Sequence, residues 1–154
     1  MQYVTSASFL LMTYAKYLSS SKQVMSCGRM TVTPGRLREL AKGQVDYILG
    51  SNPLEMSYMV GYGSHYPQRI YHRGLFLPLV SHHPESIRCS EGFKFLNSDA
   101  LNPNILFGAV VGGPDANDQF SIDRHDYQHS EPTTYINAPL LGRLAYLAHC
   151  STRS

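Results

Sequence analysis

Apolar residues recur at helical spacing in three stretches of this chain, and the three differ in how far the apolar positions spread around the helix. Between Tyr3 and Leu18, the residues Val4, Ala7, Leu11, Tyr14, Ala15 and Leu18 share one face, while Phe9, Leu10, Met12 and Tyr17 make the other faces apolar too. Lys16 is the only charge in that stretch. A helix that is hydrophobic nearly all round has to be covered on more than one side. This one is expected to be an inner helix of a larger assembly.

The second stretch is better punctuated. Thr33 is placed to cap, Pro34 suits the first helical position, Leu37, Leu40, Ala41, Val45 and Ile48 form one stripe, and Gly50 stops the helix. Arg36, Arg38, Glu39 and Lys42 are expected on its wet face. The third stretch reads as a helix capped by Asn137, with Pro139 in its first turn and Leu141, Leu144, Ala145 and Ala148 along one side. Leu140 and Leu147 widen its apolar face, and Arg143 is its lone charge before His149. It too is expected to need neighbours on several sides.

Between Ser51 and Pro132 no helical period is sustained, and seven of the 12 glycines, seven of the nine prolines and six of the seven histidines lie there. Short apolar runs such as Phe107 to Val111 are expected to form small ladders or hairpins. So long an irregular stretch argues for disorder or for a functional surface built of loops. Its many Tyr, Phe, His and Arg residues favour the surface, because disordered segments are poor in aromatics.

Composition narrows the classes further. The chain has 154 residues, and 13 Lys plus Arg stand against 11 Asp plus Glu, for a formal net charge of +2. Those charges are scattered, so nucleic acid, which needs a concentrated basic face, is not the expected partner. Phe9 to Met12 lacks a basic run before it and is followed by Thr13, Tyr14 and Lys16, so it reads as neither signal peptide nor membrane segment. Cys27, Cys89 and Cys150 are too few and too widely spaced for a disulfide framework or a close-spaced zinc site. A single bridge remains open to them, Cys27 with Cys89 being the pair considered.

Two polar clusters carry candidate chemistry. Asp115, Asp118, Asp123, Asp126 and Glu131 are interleaved with Phe120, Tyr127 and Tyr135. Carboxylates among aromatic rings suit a sugar site, since a ring face stacks on a pyranose while carboxylates bond hydroxyls or move protons. The same residues also read as a solvated acidic loop or a calcium loop, although Asp115, Asn117 and Asp118 lack the alternation and terminal Glu of an EF-hand. The second cluster is Arg69, Tyr71, His72 and Arg73, which by itself reads equally as surface charge in a turn. His82, His83 and Cys89 suggest a metal, but vicinal histidines do not both turn readily to one ion.

Several phrases together resemble the family 9 glycoside hydrolases, and most of all the plant endo-1,4-β-glucanases. They are Gln44 to Pro53, Ser57-Tyr58-Met59-Val60-Gly61-Tyr62-Gly63, Pro67 to Gly74, Asn102-Pro103-Asn104-Ile105-Leu106, Gly108 to Asp115, and Ser130-Glu131-Pro132-Thr133-Thr134-Tyr135-Ile136-Asn137-Ala138. The resemblance implies an all-α fold, the C-terminal portion of an (α/α)6 barrel with long irregular loops and minor β structure. Residues 1–154 would be a partial catalytic domain whose N-terminal part is absent. It further implies an inverting cellulase without a cofactor, acting on β-1,4-glucan outside the cell or in the wall. Glu131 would be the general acid, with His72, Arg73, Asp123, Arg124 and Tyr127 binding substrate.

Three departures from the family pattern qualify this expectation. The Asp-Ala-Gly-Asp motif that carries the family's base does not occur in the sequence. The family's His-His-Arg reads Tyr71-His72-Arg73, and its Asp-Asp-Arg reads Ile122-Asp123-Arg124. Tyrosine does not readily take up and release a proton near neutrality as histidine does, and isoleucine accepts no hydrogen bond. The alternatives are therefore a cellulase portion, a non-catalytic remnant with at most weak glucan binding, and a free-standing protein using its loop histidines for metal. The apolar outer faces of the first and third helices are expected to be exposed or covered by self-association.

Overall fold

In the computed structural model, which describes residues 1–151 and their side chains through residue 149, the chain divides into two compact units, one built of helices and one of loops. The first comprises Met1–Tyr47 and the helix that starts at Thr134; the second is Ile48–Thr133. Cys150 lies outside the described side chains.

In the first unit, α1 (Gln2–Ser20) packs along α6 (Thr134–Ser151), and α2 (Pro34–Ile48) lies against α1. Gly142 permits the close approach of the two long helices, since a β-carbon there would sit 3.1 Å from the ring of Phe9. Ser8 Oγ donates to the Ala41 carbonyl at 3.1 Å, fixing α2 against α1. A small core of Ala15, Leu18 and Leu37 is flanked by Leu11, Met25 and Val32. Met25 and Val32 come from a hairpin of β1 (Met25–Cys27) and β2 (Met30–Val32), which was not foreseen. Its two-residue turn begins at Gly28, whose φ of +59° suits a glycine at the first central position.

The capping of α2 is as expected: Thr33 Oγ1 accepts the Arg36 N–H at 3.2 Å, and Gly50 leaves the helix at φ +123°. The details of the helix faces differ. On α1 the buried line is Thr5, Ser8, Met12, Ala15 and Leu18, while Ala7 and Tyr14 are exposed. Two hydroxyls occupy it because their oxygens find backbone acceptors: Thr5 bonds the Met1 and Gln2 carbonyls, and Ser8 bonds Ala41. Leu40 is 51% exposed although it shares the apolar stripe of α2. Arg38, expected in water, reaches across to the Ala15 carbonyl and Ser19 Oγ.

The third helix starts three residues before the expected cap. Asn137 lies inside it, and Pro139 sits in the second turn, where the helix does without one N–H donor. Ile136, Leu140 and Arg143 form its buried line, while Leu141, Ala145 and Ala148 are exposed. The expected apolar excess is real: Tyr3, Leu10, Tyr17 and Leu141 are all at least 64% exposed. No helix among the described residues is long and apolar enough to cross a membrane.

The second unit is organised around a narrow ladder. Val60 N–H donates to the Ala109 carbonyl, Gly108 N–H to Val60 and Val111 N–H to Tyr58, at 2.8, 2.9 and 3.1 Å. Met59 bridges Val110 in antiparallel fashion, so the Phe107 to Val111 run does form a small ladder. Tyr58, Val60, Ala109, Val110 and Val111 are buried, and Tyr58 meets Phe120 with centroids 5.6 Å apart. The helical pieces here are short: α3 (Arg73–Phe76), a 3-10 turn (Cys89–Glu91), α4 (Gly92–Leu96) and α5 (Tyr127–Ser130). Cys27 and Cys89 are both exposed free thiols, so the bridge considered between them is not formed.

The contrast between two leucines of α2 is testable. Leu37→Ala is expected to cost about 2–5 kcal/mol and Leu40→Ala less than about 0.5 kcal/mol, read as shifts of the urea unfolding midpoint. Equal losses would put Leu40 in the core.

Candidate active site

The position of Glu131 follows from a close backbone approach. Gly112 lies so near α5 that a β-carbon there would stand 2.0 Å from the Gln128 carbonyl oxygen, and Gly113 N–H donates to the His129 carbonyl at 3.0 Å. Only a residue without a side chain allows that contact. Asp126 precedes α5 and its carboxylate meets His129 Nδ1 at 2.8 Å. Glu131 closes the helix through an N–H bond to the Tyr127 carbonyl at 3.0 Å. Its neighbour Ser130 is fully buried, and Ser130 Oγ accepts the Tyr71 N–H at 3.3 Å. The stretch Tyr71-His72-Arg73 is thereby tied to the stretch ending in Glu131.

A second set of bonds holds the same loop from the other side. Asn102 Nδ2 donates to the Ile70 carbonyl at 3.1 Å, and Asn104 Nδ2 donates to the Gly74 and Leu77 carbonyls at 2.9 and 2.8 Å. Asn102 Oδ1 in turn accepts from Arg124 Nε at 2.7 Å. His72 caps α3 with its carbonyl, which accepts the Leu75 N–H at 2.8 Å.

These anchors surround a cavity of about 510 Å³, lined by Tyr71, His72, Arg73, Glu131 and a mainly apolar wall that includes Phe76, Ile87 and Phe93. That volume falls within the usual range for ligand sites, roughly 300–1,000 Å³. Of the six site residues expected from the sequence, three line it: Glu131, His72 and Arg73. Tyr127 stands at its edge, its exposed ring 6.2 Å from that of Tyr71. Asp123 is exposed and its carboxylate accepts the His125 N–H at 2.9 Å, closing a local turn.

Arg124 has a different place from the one expected. It is 1% exposed, and its guanidinium donates to Asn102 and to the carbonyls of Ser98 and Ala100. It is spent on loop structure and does not line the cavity. Burial lowers its pKa, and the nearby Arg69, itself paired with Asp99 at 3.0 Å, adds to that lowering. Ile122 is 65% exposed.

The sequence reading missed Arg88 and Phe93 as cavity residues, and it weighed Cys89 only as a metal or disulfide candidate. The local signal was the spacing of Arg88 and Glu91: Glu91 Oε2 accepts the Arg88 N–H at 2.8 Å, which starts the turn that presents these side chains. In the acidic loop, the Asp115 carboxylate accepts the N–H groups of Gln119 and Asn117 at 2.9 and 2.8 Å, and these bonds lower its pKa. Among the described residues, no group of three or more His, Cys, Asp or Glu is arranged to hold a metal ion.

Two outcomes follow. Gly112→Ala is expected to displace α5 and cost about 1–3 kcal/mol, seen as a lowered unfolding midpoint and shifted amide resonances at residues 127–131. Gly92→Ala, which meets open space, serves as the neutral control. Because the folded pKa of Asp115 is depressed, its bonds stabilise the loop fully above the ordinary carboxylate range, about pH 4, and are lost as pH falls through the lowered value. Amide shifts of Asn117 and Gln119 should titrate together below that range, and Asp115→Asn should abolish the step.

Comparison with known proteins places these features in a family. A model of glycosyl hydrolase family 9 matches residues 1–144. Endoglucanase 17 of Arabidopsis thaliana is 64% identical over 149 residues, which is 97% of this chain and 29% of that protein. Endoglucanase 3 of Oryza sativa subsp. japonica is 65% identical over 149 residues, covering 97% of this chain and 30% of its own length. The endoglucanase of the termite Nasutitermes takasagoensis superposes with a TM-score of 0.72 at 32% identity, over 95% of this chain and 29% of that one. The cellulase Cel9M of C. cellulolyticum, solved in complex with cellobiose, superposes with a TM-score of 0.67 at 33% identity, over 94% of this chain and 27% of that one. The chain thus spans less than a third of the length of these relatives. With a family model matched over nearly its whole length and a fold shared with the family's solved members, this chain belongs to glycosyl hydrolase family 9.

Proposed function

We propose that residues 1–154 are the C-terminal part of a family 9 catalytic domain, that their helices belong to an (α/α)6 barrel, and that the domain hydrolyses internal β-1,4-glucosidic bonds with inversion. The observation that carries this reading is the shared cavity of Glu131, His72 and Arg73. A carboxyl that shares a cavity with groups able to bond sugar hydroxyls is placed to give a proton to the leaving glycosidic oxygen, as a general acid must.

In this reading Glu131 protonates the glycosidic oxygen while His72 and Arg73 bond sugar hydroxyls. The exposed ring of Tyr127 offers a face to the pyranose. Arg124 and Asn102 act at one remove by holding the loop that bears His72 and Arg73. Inversion also needs a carboxylate across the bond to activate water, roughly 6.5–9.5 Å from the acid. The family's Asp-Ala-Gly-Asp motif, which would supply it, is not in this sequence. The chemistry calls for no cofactor. The glucan substrate, the wall or extracellular setting, and self-association through the exposed faces of α1 and α6 belong to the same proposal.

A second reading, glucan binding without turnover, draws on one feature. Tyr71 replaces a histidine of the family pattern, and its ring is packed against Tyr127. The two readings separate when this chain replaces the matching segment of a full-length relative. Hydrolysis of a soluble cellulose derivative is expected, falling by about 10²–10⁴ in Glu131→Gln, with oligosaccharide affinity retained. A rate that Glu131→Gln leaves unchanged would remove Glu131 as the acid. No turnover even after Tyr71→His and Ile122→Asp, with binding intact, would favour the second reading.

A further inference from the structure

Most arginines with described contacts in this protein are committed. Arg36 pairs with Glu39, Arg69 with Asp99, Arg38 holds α1 and Arg124 holds the loop at residues 98–102. Arg73 and Arg88 are different: both line the cavity of Glu131, and neither forms an ion pair with another described residue. His72 adds an imidazole in the same place, also without such a pair. The lining therefore sets two permanent positive charges against one carboxylate. Glu85 and Glu91, the acidic neighbours three residues either side of Arg88, are not part of the lining; Glu85 meets His83, and Glu91 Oε2 accepts the Arg88 N–H at 2.8 Å.

That arrangement is more than a neutral cellulose chain requires. Hydroxyls are satisfied by any donor, whereas a guanidinium fork matches a carboxylate with two parallel charged hydrogen bonds. The wall around it, with Ile87, Phe93 and Leu96, is apolar, so a sugar ring laid on it would itself shield the charged bond from water. Phe93 is 62% exposed, so its ring is free to stack on a sugar while Arg88 reaches a group at the sugar's edge. The backbone of Arg88 is held at the start of the Cys89–Glu91 turn, which keeps its Cα fixed beside the cavity.

We propose that this cavity selects β-glucan chains that carry a carboxylate, of the kind a uronic acid residue supplies, and that Arg88 is the selecting residue. The inference rests on the reading of the cavity as a β-glucan site and adds the charge of the preferred chain. Arg73, closer in sequence to His72, serves neutral and acidic chains alike.

The test is calorimetric titration of the full chain with three probes: cellotetraose, a tetrasaccharide of the same linkage with one glucosyl unit oxidised to glucuronosyl, and free glucuronate. The acidic tetrasaccharide is expected to bind at least about tenfold tighter than cellotetraose at low salt, with the advantage shrinking as salt is raised. Arg88→Gln should bring the ratio of the two affinities to about one, and Arg88→Lys should restore part of it, with circular dichroism confirming that both variants fold. Equal affinities in the unaltered chain, or a preference that survives Arg88→Gln, would overturn the inference and leave the β-glucan reading standing. Failure of both tetrasaccharides to bind would overturn the two together. Free glucuronate binding as tightly as the acidic tetrasaccharide would reduce the site to an anion site and overturn the selection of a glucan.

Discussion

The loops that carry the candidate chemistry depend on where one buried guanidinium finds its acceptors. Arg124 is shut away from solvent, and a buried charge is tolerable only when hydrogen bonds replace its water. Asn102 and the carbonyls of Ser98 and Ala100 do so. Because Asn102 also holds the Ile70 carbonyl, the demand of one side chain is passed on to the stretch that leads into Tyr71, His72 and Arg73. Irregular backbone has no repeating ladder to define it, so such side-chain bonds take the place of secondary structure.

Glu131 reaches the same cavity by an independent route. Its helix, α5, is one turn long and could not persist by itself. The contact with Gly112 and the bond from Gly113 hold it, and Ser130 then joins it to Tyr71. Glu131 and its neighbouring polar groups are thus set by two glycines, a serine and an asparagine that do not line the cavity. Positioning of this kind is what allows a modest set of side chains to act together.

The relation between the catalytic reading and the substitutions becomes more definite in three dimensions. Tyr71 keeps the backbone bond to Ser130 and fills its place with a ring against Tyr127, so the local structure tolerates the exchange. What is altered is the functional group at that position, a phenol standing where the family pattern has an imidazole. Ile122, exposed to solvent, leaves a hydrophobic group where the family pattern has a carboxylate. Fold and chemistry are therefore separable here.

Helix existence, the cap at Thr33, the stop at Gly50 and the excess of apolar surface on α1 were legible in the sequence, because each depends on neighbours within a few residues. Glu131, His72 and Arg73 were singled out by motif resemblance, and the structure brings them to one cavity. Which side of α1 is buried was not legible, since Thr5 and Ser8 become core residues only by bonding carbonyls, in one case on another helix. The start of α6 was misplaced because Pro139 reads locally as a first-turn residue, while the helix carries it in its second turn. The commitment of Arg124 to the loop and the presence of Arg88 in the cavity depend on residues brought together from distant parts of the chain. Local pattern determined the helices and motif resemblance singled out Glu131, His72 and Arg73; only tertiary structure decided which charges were spent on the fold and which side chains meet in one cavity.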